Sequence, residues 1–440
     1  MTAATFGKYE ITSKLASGGM AVTYRALMVG ARGVKKPVVL KLIHPHLAEE
    51  AEFVEMFIEE ARLSATLTHS NIAQVFDFGE VDGRYFIAME LVDGQSLSPA
   101  LKRARRKGYR VLPTPLACLI AVEMCEALYY AHTRADEAGA SLDIVHRDVS
   151  PENVLISWQG EVKLVDFGIA KSTMTGKQTA TGTVKGKYRY FSPEQSRADR
   201  TMDSRTDVYA ASVVLYEMLC ARRPYEGEFV EVMQAVLTGD FPLPTSLNPE
   251  VPPELERILL KGLALDREAR FRTAREMGQA LNALTHTLFP DVHRSDLQSL
   301  MSVLFEEELT ANGRPAEVRE GFRALMDGGE PSRADDLTPP DGVPTVAPAA
   351  RRPVTRSNPR LPVSKAGVSP GEATDVNATR LDERSAATRP ARRTGPPRAA
   401  LRVDDELTPL PADVKMTGSQ KTQLSLDTPE RMEEEARKHA

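Results

Sequence analysis

Three cysteines in 440 residues, with no Cys-x-x-Cys pair among them, exclude a disulfide framework and a thiolate zinc site. Cys118 and Cys125 stand seven positions apart within the apolar-periodic stretch 116–130. That spacing puts them on one helix face, where free thiols pack as small hydrophobes. No run approaches the roughly eighteen uninterrupted apolar residues a membrane span needs. Residues 1–9 lack the apolar core of a signal peptide, so the chain reads as cytoplasmic, with no membrane span. Positive charge is also short: 56 Lys and Arg against 61 Asp and Glu leave a net charge of -5. No overall field draws this chain to nucleic acid or anionic lipid. The basic run from Lys102 to Arg110 reads as a solvated helix face rather than a nucleic-acid patch. From Pro331 to Ala440 there is no Phe, Trp or Tyr, while 15 of the 30 prolines fall there. Residues 329–440 therefore read as a disordered Pro/Ala/Arg-rich tail, with too little apolar surface to offset the entropy of ordering.

What is present changes character along the chain. From Tyr9 to about Met89, runs such as Val38-Val39-Leu40 and Tyr85-Phe86-Ile87 predict strands, around one amphipathic helix from about Ala51 to Leu67. Beyond Val92 helices dominate, interrupted at 154–165 by two short strands joined at Trp158-Gln159-Gly160. Helical periodicity at Leu297, Leu300, Met301 and Leu304 predicts a short helical appendix over 285–328.

Polar residues gather in the loops beside the strand pair. His146-Arg147-Asp148-Val149-Ser150-Pro151-Glu152-Asn153 fits the pattern H-R-D-x-x-x-x-N, and Asp166-Phe167-Gly168 and Ser192-Pro193-Glu194 follow it. Upstream, Leu15-Ala16-Ser17-Gly18-Gly19-Met20-Ala21-Val22-Thr23 is a hairpin tip of mostly small residues. Lys41 ends Val38-Val39-Leu40-Lys41, Glu60 lies on the amphipathic helix, and Met89-Glu90-Leu91-Val92 closes the strand-rich part. Phosphoryl transfer asks for positioned phosphates, metal ions and a carboxylate to orient the attacking hydroxyl. The chain offers residues suited to each, and agreement at these spacings by chance is remote.

In these residues the chain resembles the Hanks-type serine/threonine protein kinases of bacteria. Met89 to Gly94, Ser192 to Gln195 and the long insert before His146 are similar to myxobacterial members in particular. The resemblance covers residues 9 to about 284 and implies an α+β, two-lobed protein kinase fold. That means a β-rich small lobe (9–89), a hinge (90–94) and a larger helical lobe (95–284), with Mg-ATP in the cleft. It implies that the 15–23 loop, Val39, Met89, Leu155 and the backbone of Glu90 and Val92 surround ATP. Lys41 and Glu60 would pair to hold its α and β phosphates. Asp148 would be the catalytic base, with Asn153 and Asp166 binding Mg²⁺. Asp207 would brace the catalytic loop, and Glu194 would pair with Arg270. Arg147 before the aspartate implies control by an autophosphorylated activation segment, with Thr181 and Thr183, then Thr179, as the candidate sites.

Two departures from the family pattern look complementary. Ser150 stands where serine/threonine kinases carry a lysine, and Lys187 stands where they carry a substrate-facing threonine. A lysine stem is long enough to bring the Lys187 ammonium beside Asp148, which adds Lys187 to the candidate catalytic set. Ala16 and Ala21 replace two glycines of the phosphate loop.

Three function classes fit: an active protein kinase, a pseudokinase scaffold and a small-molecule phosphotransferase. The full segment from Asp166 to Glu194, a platform for peptide substrates, speaks against the third. Lys41, Glu60, Asp148, Asn153 and Asp166 together favour the first. The implied partners are protein substrates. Thr338-Pro339-Pro340-Asp341 and Thr379-Arg380-Leu381-Asp382 carry aspartate three after threonine, a spacing that makes phosphothreonine-binding forkhead-associated domains candidates as well. A transient homodimer of kinase domains is a further candidate.

Overall fold

The computed structural model describes residues 4–168, 186–199 and 201–327. Strands β1 (Ala4–Phe6), β2 (Tyr9–Ser17), β3 (Ala21–Val29), β4 (Lys35–Ile43), β5 (Val75–Val81) and β6 (Arg84–Glu90) form one antiparallel sheet in the order β1-β2-β3-β4-β6-β5. The period-2 alternation of β4 decides which side chains meet the cleft. Val38, Leu40 and Leu42 pack with Phe6, Tyr9 and Phe86 on one face. Val39 and Lys41 take the other face, where helix α1 (Ala51–Ala65) lays Phe57 and Ala61 against Ile43, Ile87 and Met89.

The larger lobe opens with β7 (Gly94–Ser96), which pairs with β8 (Val154–Ser157), itself paired with β9 (Val162–Leu164). β1 and β7 are not among the strands expected from the sequence, each being three residues long with no apolar run to mark it. Helices α2 (Leu97–Arg106), α3 (Thr114–His132), α4 (Pro193–Ser196), α5 (Arg205–Cys220) and α6 (Phe229–Thr238) follow in chain order. Then come α7 (Pro244–Leu247), α8 (Pro253–Gly262) and α9 (Ala274–Leu288), so a helix runs through residue 284. The lobe is built around α3, which packs on α5 and α9. Among the described residues α3 alone is long and apolar enough to cross a membrane, and 67% of that stretch is buried inside the fold. A core helix is apolar all round for the same reason. Cys118 and Cys125 on α3 and Cys220 on α5 are buried, and burial pushes each thiol up to about 12, which leaves them inert.

The appendix consists of α10 (Arg294–Leu304), α11 (Glu306–Ala311) and α12 (Phe322–Asp327). It does not project from the lobe, since α10 packs on α2, α3 and β8. Arg103 is turned inward to Glu308, and Arg105 donates to the carbonyl of Ala221 at 3.1 Å. The basic run on α2 is therefore not a wholly solvated face: Arg103 is half-buried against Glu308, while Lys102, Arg105 and Arg106 remain exposed.

Ser192 caps α4, its hydroxyl accepting from the Gln195 amide at 3.3 Å while the Gln195 side chain accepts from the Ser192 amide at 3.0 Å. The cap directs Glu194 inward to the guanidinium of Arg270, which donates to its two oxygens at 2.7 and 2.8 Å. Burial raises the Glu194 carboxyl, but the Arg270 bonds outweigh it and hold the group below the usual carboxylate range. Breaking such a pair leaves a buried charge uncompensated, so Arg270→Ala should lose about 3–5 kcal/mol in urea unfolding. The double change Glu194→Gln with Arg270→Met should lose less than the single change.

Candidate active site

The catalytic-loop motif is held from beneath by one carboxylate. Asp207, fully buried in the first turn of α5, accepts from the backbone N–H of His146 and of Arg147, both at 2.8 Å, and from His132 Nε2 at 2.7 Å. Burial raises its pKa, but the His132 hydrogen bond and the His146 amide more than reverse that. Aimed at one acceptor, the two successive amides turn the chain through Arg147 at φ +61°, and Asp148 leaves toward the cleft. His146 packs tilted against Phe167, ring centroids 4.5 Å apart, and its carbonyl accepts from the Gly168 amide at 2.8 Å, joining this loop to Asp166-Phe167-Gly168. Its Nδ1 lies 3.3 Å from the Asp148 amide and its Nε2 lies 3.1 Å from the Val165 carbonyl. Burial lowers its pKa, so the ring is a neutral imidazole protonated on Nε2.

Asp148 is clamped from two sides. Asn153 Nδ2 donates to its Oδ2 at 2.9 Å, and Lys187 Nζ donates to the same oxygen at 2.6 Å. The Lys187 stem thus spans the distance to Asp148. Gly186 at φ +92°, a conformation that suits glycine, turns the chain into the short 3₁₀ segment Lys187–Tyr190. Ser150 is buried, and its hydroxyl has no hydrogen-bond partner among the described residues. The same holds for Arg147 Nε. Thr179, Thr181 and Thr183 lie outside the described residues.

Across the cleft, Lys41 Nζ donates to Glu60 at 2.7 Å and to Asp166 at 2.9 Å. Burial alone would lower the Lys41 pKa, yet the two carboxylates raise it well above the usual lysine range. On Asp166 burial acts in the opposite direction, upward, and Lys41 more than reverses it. Beside them opens a cleft of about 680 Å³ whose walls include Leu15, Val39, Met89, Val92, Leu155 and Asp166. Ala16, Thr23 and Glu90 also line it.

The rest of the expected nucleotide set, Ser17 to Val22 and Lys41, does not line this cleft, although Lys41 reaches Asp166 on its wall. Ser17, Gly18, Gly19, Met20, Ala21 and Val22 form the hairpin tip, where Gly18 donates to the Ala21 carbonyl at 2.9 Å and Met20 packs toward α1. None of these residues sits at positive φ, so Ala16 and Ala21 carry no backbone strain. The Glu90 amide turns away to the Gln74 carbonyl at 2.8 Å, so its N–H is not offered to a ligand. The cleft has other walls that no motif marked: Leu309, Asn312 and Arg314. No local pattern could have marked them, because only tertiary folding brings them there.

The protein kinase family uses ATP and Mg²⁺, and the residues present fit that pair. No group of three or more His, Cys, Asp or Glu that could hold a metal occurs among the described residues. Magnesium needs none, since one or two protein oxygen ligands together with phosphates and water suffice. Asp166 and Asn153 are suited to that part, and Lys41 to the phosphates.

A β-rich lobe hinged to a helical lobe, with these residues converging between them, defines a protein kinase fold. Residues 9–288 match the protein kinase domain family, and the chain belongs to it. It is similar to the tyrosine-protein kinase MasK of Myxococcus xanthus, 43% identical over 63% of this chain and 43% of that protein. It is also similar to the serine/threonine-protein kinase PrkC of Bacillus subtilis, 32% identical over 71% of this chain and 47% of that protein. PknD of Mycobacterium tuberculosis, named as a serine/threonine-protein kinase, is 34% identical over 68% of this chain and 43% of its own length. Each match thus spans less than half of its relative. Among solved structures, the M. tuberculosis PknI kinase domain superposes with a TM-score of 0.50 at 28% identity, covering 64% of this chain and 98% of that one.

The depressed pKa of Asp207 has a sign that can be read in solution. Its contribution to stability is complete above the unfolded aspartate value of about 3.9 and is lost as pH falls through the lower folded value. Urea unfolding between about pH 3 and pH 7 should show this as an acid limb that flattens in Asp207→Asn, a variant already less stable at neutral pH.

Proposed function

We propose that this chain transfers the γ-phosphoryl group of Mg-ATP to serine and threonine hydroxyls of proteins, its own activation segment included. The observation that carries the reading is the 2.6 Å contact between Lys187 Nζ and Asp148 Oδ2. It puts a cation beside the carboxylate that must orient the acceptor, the charge that Ser150 cannot supply. When bound, Mg-ATP brings the transferable group and a metal that neutralises phosphate charge. Asp148 orients the acceptor hydroxyl and takes its proton, while Asn153 fixes the carboxylate's rotamer. Lys187 stabilises negative charge as it develops nearby. Lys41, oriented by Glu60, would meet the phosphates, and Asp166 and Asn153 would hold the metal.

Arg147 Nε, buried and without a hydrogen-bond partner among the described residues, supports control by phosphate on the activation segment, with Thr181, Thr183 and Thr179 as acceptors. Forkhead-associated domains that read phosphothreonine in the tail are the partners proposed beyond the substrates. PrkC and PknD carry serine/threonine in their names, whereas MasK carries tyrosine. Ser150 in place of the usual lysine, together with the MasK name, favours tyrosine transfer as the second reading.

Purified protein and an Asp148→Asn variant given labelled Mg-ATP decide between activity and scaffolding. Label in the wild type alone, on Thr181 or Thr183, is expected; equal absence in both would leave a scaffold. Phosphoamino-acid analysis of the product should yield phosphoserine and phosphothreonine, and a phosphotyrosine product would install the second reading. Lys187→Ala should slow transfer about 100- to 1,000-fold, the usual cost of one charge-stabilising donor, with nucleotide affinity unchanged. An unaltered rate would reduce Lys187 to a surface lysine.

A further inference from the structure

Past residue 288, where the family match ends, the chain doubles back to the hinge. α10 inserts Leu297, Leu300, Met301 and Leu304 into the core of the larger lobe. Its approach to the β8–β9 turn is close. A Cβ on Gly160, at φ +80°, would lie 2.6 Å from the Arg294 carbonyl oxygen, so both conformation and space require glycine there. At the end of α10, Phe305 meets Trp158 edge-on with ring centroids 5.7 Å apart. Arg103 of α2 lies over the same Phe305 ring at 5.4 Å and pairs with Glu308 of α11. The segment then returns across the cleft mouth, where Arg314 forms an ion pair with Asp93 at 2.6 Å. Asp93 follows Met89-Glu90-Leu91-Val92, so the segment is pinned to the connection between the lobes. Leu309, Asn312 and Arg314 consequently line the same cleft as Met89, Val92 and Leu155.

We infer that residues 305–314 form an outer wall of the nucleotide site and that Arg314 sets nucleotide affinity. This rests on the reading of the cleft as the Mg-ATP site. The wall excludes water from the hinge side of the cleft and presents it with an apolar side chain, an amide and a cation. A guanidinium there also attracts an anionic ligand. The pair it makes with Asp93 is partly exposed, with side chains at 38% and 40%, and such pairs add little to folding stability. Breaking it should therefore loosen the wall without unfolding the lobe, which separates a positioning role from a structural one.

Calorimetric titration of the full chain with a non-hydrolysable Mg-ATP analogue is the test. Arg314→Ala should weaken binding about 3- to 10-fold, the worth of one hydrogen bond, with an unchanged melting temperature. In turnover the change should fall on KM for ATP more than on kcat. The exchange Asp93→Arg with Arg314→Asp, which re-pins the segment, should recover much of the lost affinity and guards against a variant that merely misfolds. Unchanged affinity in Arg314→Ala alongside normal wild-type binding would make the segment a structural prop and overturn the inference alone. Tighter binding would mean that the segment occludes the cleft, which also overturns it. A wild type that binds no nucleotide would sink the kinase reading and this inference with it.

Discussion

Asp207 carries its charge with no exposure to water, in the middle of the larger lobe's apolar core. An isolated carboxylate there would cost several kcal/mol or take up a proton. Three donors prevent this, and two of them are consecutive backbone amides of the catalytic loop. Satisfying the charge and shaping the loop are thus one event. Arg147 is driven to positive φ, Asp148 is delivered to the cleft, and the loop is fastened to α5. The same helix carries Thr206, whose hydroxyl donates to Glu194 at 2.8 Å, and Gln195 of α4 donates to the Arg147 carbonyl at 2.9 Å. Catalytic loop, α4 and α5 therefore form one hydrogen-bonded block whose stability is set by its buried charges.

The positive charge beside Asp148 is anchored differently. A lysine at position 150 would ride on that rigid block, whereas Lys187 rides on a segment that begins at Gly186. Its position depends on side chains that fix Lys187–Tyr190 to the lobe. Tyr190 donates to Glu217 at 2.6 Å, and Tyr188 packs edge-on against Phe229 at 5.2 Å. Placing the lysine at position 187 instead of position 150 conserves the charge but makes its delivery conditional on the conformation of residues 186–190. Electrostatics at Asp148 and order in residues 186–190 become linked quantities.

What could be read in the sequence was what is local. The alternation in β4 sorts Leu40 from Lys41 without any knowledge of the neighbouring strands, and α3 declares itself by an apolar stretch too long for a strand. Lys41, Glu60 and Asp166 converge within hydrogen-bonding distance although they lie far apart in the chain, and motif order was enough to nominate them. The hairpin tip was harder. Its small residues suggested a backbone able to approach phosphates, and only the fold distinguishes Met20, turned onto α1, from Leu15, Ala16 and Thr23 at the cleft. The appendix was legible as helix but not as architecture. The contacts that dock it, Arg314 to Asp93 and Phe305 to Trp158, join residues with no shared periodicity.

Trp158 is the single tryptophan of the chain. It stands at the β8–β9 turn, on the wall of the cleft and against Phe305. The sequence therefore offers one indole, at the junction of ligand cleft and docked segment, which excitation beyond the absorption of its 11 tyrosines selects. Its spectrum and quenching report the local polarity of that junction, so ligand entry and segment release can be followed optically in unlabelled protein.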